Sequence, residues 1–91
     1  MESVFHALAH PARRQALRYL ARESLTAGDL AARFDAAAPT MSRHFSILKE
    51  ADLIREERRG TSRVYSLNAS LAEEVLASVM TLLAIEKDAP E

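Results

Sequence analysis

Between Thr26 and Leu53 the chain places two short amphipathic segments around an Ala-rich break, TAGDLAARF, DAAA and PTMSRHFSILKEADL, and a basic segment, Arg55 to Tyr65, follows at once. Two helices joined this tightly must cross, and the second then keeps an outer face free. Helix, tight connection, helix and charged ribbon is the order that puts one helix into a DNA major groove and a loop onto the neighbouring backbone. The expectation is a chain that reads DNA.

The length of 91 residues holds one domain with a thin core, a shortage that self-association would repair. The composition is 48% hydrophobic with two Gly and three Pro, the profile of a mostly helical protein. Residues 1–86 are expected to form the folded domain and residues 87–91 a disordered tail. No Cys is present, which excludes disulfides, thiol redox sensing, cysteine nucleophiles and thiolate metal ligands. No run is long and apolar enough for a transmembrane helix, and MESVFHALAHPAR lacks the pattern of a signal peptide, so a cytoplasmic protein with no membrane partner is expected. The net charge of −1 conceals a division: residues 1–38 carry +1, residues 39–65 carry +2 and residues 66–91 carry −4. Exposed charges are screened beyond ~8 Å at physiological salt, so acid gathered at the far end is compatible with a DNA-binding middle.

Along the chain, Val4, Phe5, Leu8 and Ala9 predict a first helix over residues 2–9. Pro11 suits the start of a second, running to about Ala21, which buries Ala16, Leu17 and Leu20 and projects Arg13, Arg14, Arg18 and Arg22 away from the core. Arg13 and Arg14 then either touch phosphate or pair with acids of the chain. Thr26, three residues before Asp29, caps a third helix from Ala27 to Phe34 that buries Leu30 and Phe34. The fourth helix spans Pro39 to Ala51 and turns Met41, Phe45 and Leu48 inward. Stepping ~100° per residue from that stripe leaves Arg43, Ser46 and Glu50 outward, Thr40 and Ile47 on one flank, Ser42 and Lys49 on the other, and His44 at the edge. Small hydroxyls with Arg fit a groove and offer donors to base edges and phosphates.

From Leu53 the pattern becomes that of a two-stranded hairpin with Gly60 at its turn and Arg58, Arg59 and Arg63 near its tip. Alternation should direct one of Glu56 and Glu57 away and pair the other with Arg58 or Arg55. Ser70 with Glu73 reads as a capping box for a last helix running to about Ile85. Its apolar stripe, with Leu71, Val75, Val79 and Leu82 on one row and Leu76, Met80 and Leu83 on another, is wider than one small core needs. A homodimer through the terminal helices is expected, its interface drawn from Val4, Phe5, Leu8, Val75, Val79, Leu82 and Leu83. Twofold symmetry would set two reading heads about one DNA turn apart, ~34–36 Å.

At this point the chain resembles the ArsR/SmtB-type winged helix-turn-helix repressors over nearly its whole length. FHALAHPARRQALRYL is similar to the family's opening helices, TAGDLAARF to its first DNA-motif helix, APTMSRHFSILKEADLI to its recognition helix and RRGTSRVYSLN to its wing. TAGDLA, SRHFSILKEADLI and YSLN are most similar to the SdpR-like autorepressors within it. The resemblance implies a fold that is mainly α with a small β-hairpin, five helices with the hairpin between the fourth and fifth. It also implies a homodimeric DNA-binding repressor of an inverted-repeat operator in double-stranded DNA, often that of its own operon. Recognition positions carry over onto Thr40, Ser42, Arg43 and His44, with Ser46 added on geometry, and wing contacts onto Arg58, Arg59 and Arg63. The family's metal sensors place ligands where this chain reads SLTAGDL and SLAEEVLASVMTLL, without Cys or His, so neither a metal nor a cofactor is expected.

His6 and His10 stand four apart, a spacing that can share an ion, but Pro11 leaves His10 at a helix end and no third ligand is evident. They are read as surface or capping histidines. His10 also stands where the family often has Asp, and can cap without an anionic charge. Two other readings remain open: a repressor released by a small apolar inducer or by a metal at His6 and His10, and a protein-interaction winged helix that binds no DNA. An enzyme is not expected, since no catalytic constellation or Gly-rich phosphate loop is present.

Overall fold

The computed structural model describes residues 1–84. Helix α1 (Glu2–Leu8) and α2 (Pro11–Arg22) meet at His10, whose extended backbone breaks the helix and whose Nδ1 accepts the Ala12 N–H at 3.0 Å. The expected weak cap is thus made by an imidazole. Strand β1 (Leu25–Thr26) leads into α3 (Ala27–Ala31), capped as expected by the Thr26 hydroxyl, which accepts from Asp29 N–H at 3.0 Å. The helix is shorter than its apolar spacing predicted. After Ala31 the chain tightens into three-residue turns, Arg33 N–H to Leu30 O and Phe34 N–H to Ala31 O, and Phe34 packs inward from beyond the helix end.

Helix α4 (Ala38–Glu50) buries Met41, Phe45 and Leu48, the stripe read from its spacing. It ends with Leu53 N–H on Leu48 O and Asp52 N–H on Lys49 O, and with Asp52 in the left-handed region at φ 62°. This paired closure normally uses Gly, so Asp52 holds it under mild strain. Strands β2 (Ile54–Arg59) and β3 (Ser62–Leu67) form the predicted hairpin around Gly60, φ 62°, in the Gly-first pattern of a II′ turn. The sheet has a third strand that the sequence did not disclose: β1 pairs with β3, giving the order β1-β3-β2. A two-residue strand is too short to show alternation, and Thr26 serves both the sheet and the α3 cap.

Helix α5 (Ala69–Leu82) starts one cap earlier than the Ser70–Glu73 spacing suggested. Asn68 Oδ1 accepts from Leu71 N–H, leaving Ser70 already inside the first turn and unable to form the box. Asn68 also donates through Nδ2 to Asp52 O at 2.8 Å and through its backbone N–H to Leu53 O at 2.9 Å. One side chain therefore ties the end of α4 to the start of α5. The helix closes at Leu82; Ile85, where the sequence placed its end, and the tail 87–91 lie outside the described residues.

The core joins Val4 and Ala7 of α1, Ala16 and Leu20 of α2, Leu30 of α3, the α4 stripe, Ile54, Tyr65 and Val75. An aromatic chain, Tyr19–Phe34–Phe45–Tyr65, runs through it edge to face with centroids 5.7, 6.4 and 5.7 Å apart. Phe45 thereby seats α4 against both α3 and the sheet.

Candidate nucleic-acid interface

With Met41, Phe45 and Leu48 turned in, α4 shows Thr40, Ser42, Arg43 and Ser46 to the outside, all exposed. The helix begins at Ala37 without a side-chain cap, and Pro39 occupies its first turn. Its leading N–H groups thus lack a side-chain cap, and Pro39 has no N–H to satisfy. On one flank Ser42 and Ser46 share a groove with Gly28 of α3 and Arg63 of β3, so hydroxyls of the helix and a guanidinium of the wing converge. On the other, Arg43, Ser46 and Ile47 share a groove with Ser3 and His6 of α1.

The hairpin distributes its arginines by strand alternation. Arg58 pairs in register with Arg63, on the sheet side that also carries Ile54, Glu56 and Tyr65. Two like charges directly opposite are unfavourable unless an anion lies near them, and neither has a carboxylate partner among the described residues. Arg59 emerges from the other side and is held by Glu57 at 2.9 Å. Glu56 turns towards α4 and meets Lys49 at 3.4 Å. Both acids are thus directed and paired, though with Lys49 and Arg59 in place of the expected Arg58 or Arg55. Burial and the Glu56 carboxylate raise the Tyr65 phenol above its ordinary range, and Arg63 opposes them; the ring stays neutral in the core.

Two sequence readings are displaced. Arg13 neither projects outward nor meets an acid: it is 6% exposed and donates from Nε to Ala7 O at 2.8 Å, from one terminal nitrogen to His6 O at 2.9 Å, and from the other to His44 Nδ1 at 3.1 Å. The two carbonyls belong to the last turn of α1, where spare acceptor capacity and the negative end of the helix dipole attract a cation, His6 O also accepting the Ala9 N–H at 3.2 Å. Arg14 does the same from the surface, donating to Leu8 O at 2.7 Å. The signal for Arg13 was present, since it stands on the stripe of Ala16, Leu17 and Leu20 at helical spacing. His44 is half-buried, its ring 4.4 Å from that of His10. Burial first, then the positive charge of His10, Arg13 and Arg43, hold its pKa below the usual imidazole value.

The residues expected at an interface of the terminal helices differ in exposure within the single chain. Val4 and Val75 are buried within the chain's own core, whereas Phe5, Leu76, Met80, Leu82 and Leu83 are exposed. Leu8 and Val79 line a groove of about 460 Å³ with Leu17, Leu53, Leu67 and Leu76. Among the described residues no three His, Asp or Glu side chains gather as a metal site, and no helix is long and apolar enough to cross a membrane.

Residues 8–57 match the model of a helix-turn-helix domain family. The transcriptional repressor SdpR of Bacillus subtilis is 39% identical over 74 residues, 81% of this chain and 82% of that protein. A crystal structure of an ArsR family transcriptional regulator superposes with a TM-score of 0.76 at 31% identity, covering 93% of this chain and 97% of the other. The chain belongs to the ArsR/SmtB-type winged helix-turn-helix repressors. In the terms of that family α3 and α4 are the helix-turn-helix, α4 the recognition helix and the β2–β3 hairpin the wing. The biofilm growth-associated repressor of Agrobacterium fabrum is a further relative, 30% identical over 75 residues, 82% of this chain and 64% of that protein.

Proposed function

We propose that the protein represses transcription as a homodimer in the cytoplasm, placing two α4 helices in successive major grooves of an inverted-repeat operator. The observation that carries this reading is the exposed outer side of α4, Arg43 with the hydroxyls of Thr40, Ser42 and Ser46, flanked by the opposed guanidiniums of Arg58 and Arg63. Arg43 is suited to two hydrogen bonds with a guanine edge, Thr40 and Ser42 to the backbone, and the wing to phosphates irrespective of sequence. Self-association is supported by the exposed apolar row of α5 with Phe5, which a second copy would cover. The segment upstream of the gene itself is the first candidate operator. Selecting fragments of the genome with the purified protein tests the reading: it predicts enrichment of inverted repeats, and equal affinity for all duplexes would instead support a protein-interaction role.

The groove beside α5 favours a second reading, in which a small apolar inducer enters between α2 and α5. Titrating apolar ligands, and zinc for His6 and His10, into the protein–operator complex separates the two. Release by a ligand supports the sensor; no release supports control by the amount of repressor.

A further inference from the structure

His44 is tied to the opening helices by contacts that also decide where its proton sits. A guanidinium has donors only, so the Arg13 nitrogen 3.1 Å from His44 Nδ1 must donate to it. The ring is then neutral, with its proton on Nε2. Among the described residues that nitrogen has no hydrogen-bond partner, and none of their buried side-chain nitrogens or oxygens is left unpartnered; Nε2–H therefore reaches solvent. Helical spacing puts it on the α2 edge of α4, one residue from Arg43.

We propose that buried Arg13 is a positioning residue for DNA recognition: by occupying Nδ1 it fixes His44 as an outward Nε2–H donor for a DNA phosphate oxygen, and it clamps the recognition helix to α1 and α2. This rests on the DNA-binding reading given above. The clamp joins three elements through one side chain, since the same guanidinium holds the His6 and Ala7 carbonyls of α1.

The clamp is sensitive to acid. A proton on Nδ1 removes the acceptor and sets an imidazolium against Arg13. The charged groups bearing on His44 are His10 from the α2 cap, Arg13 from α2 and Arg43 from α4 itself, and none is negative. The titratable side chain of α1 on this side is His6, in the groove it shares with Arg43 and with Glu50 of α4. With the folded value below the ordinary 6.5, the stability contributed by neutral His44 is complete above that pH and is lost as pH falls from 6.5 towards the folded value.

The test combines imidazole nitrogen NMR on the free protein with affinities for operator and unrelated duplex from pH 7.5 to 5.5. At pH 7.5 His44 should show a bare Nδ1 and a protonated Nε2; a protonated Nδ1 would overturn the proposal. Acidification keeps the Nε2–H donor but breaks the Arg13–His44 bond that holds α4 in place, so it should lower the operator-to-unrelated ratio about three- to tenfold, the worth of that one hydrogen bond, through the misplaced base contacts of the helix. His44→Asn keeps an acceptor for Arg13 and does not titrate, so most of this pH response should vanish. Arg13→Lys, still a donor, should preserve most of the pH response of the ratio, whereas Arg13→Met, which cannot donate to Nδ1, should abolish it. A ratio independent of pH in the wild-type protein would refute the positioning role even with the tautomer in place. Failure of operator binding at every pH would refute the DNA reading itself, and the tautomer result would then stand apart from it.

Discussion

Helices α4 and α5 are nearly equal in length, and both are amphipathic, yet they end in opposite conditions. Helix α4 buries three large side chains and turns hydroxyls and Arg43 to the outside, whereas α5 buries Val75 and leaves Leu76 62% and Leu82 72% exposed. The first is finished by its own chain and polar where it meets solvent. The second is apolar where it meets solvent, which is the condition of a surface awaiting another. A small domain can hold a helix in this way only if its core is spent on that helix, and the proposed dimer would then supply the remaining burial.

The comparison breaks most visibly at α5. Leu76→Glu puts a charge in the proposed seam and should convert the dimer to monomer in light scattering, with operator affinity falling about 100-fold or more as two linked contacts become separate. If the variant stays dimeric with full affinity, the α5 face has another purpose. Smaller effects are expected at the wing, where Arg63→Ala should weaken binding to every sequence about fivefold and reduce the salt dependence by about one counterion. Arg59→Ala should cost about twofold or less, because Glu57 already neutralises much of that charge. Equal losses at the two positions would mean that Glu57 releases Arg59 when DNA arrives. The smallest change concerns the junction of the two helices: Asp52→Gly relieves the left-handed backbone and should stabilise the fold by about 0.5–1 kcal/mol, read as a higher unfolding midpoint with DNA affinity unchanged.

Much of this was legible before any coordinates. The α4 stripe, the Thr26 cap, the Pro11 boundary and the Gly60 turn follow from local chemistry, which acts within a few residues and leaves a pattern of matching length. The site was legible in its outward residues for the same reason: once Met41, Phe45 and Leu48 are inside, the positions of Arg43 and Ser46 are geometry. What escaped depends on contacts between distant segments. Strand β1 exists because β3 lies beside it, Asn68 displaces Ser70 as a cap because Asp52 and Leu53 offer carbonyls, and Arg13 is buried because α1 ends over it. The likeness to known repressors supplied the wing and recognition helix as expected functions; it carried no hint that His44, one of the residues proposed to meet DNA, is tethered by a buried arginine.

The central claim is that α4 reads sequence through Arg43. Its most direct test is the ratio of operator to unrelated-DNA affinity for wild type and Arg43→Ala at one fixed salt concentration. A lost pair of hydrogen bonds to a base predicts a fall of about 5- to 150-fold in that ratio with little change in affinity for unrelated DNA. A ratio left unchanged by Arg43→Ala would contradict the account.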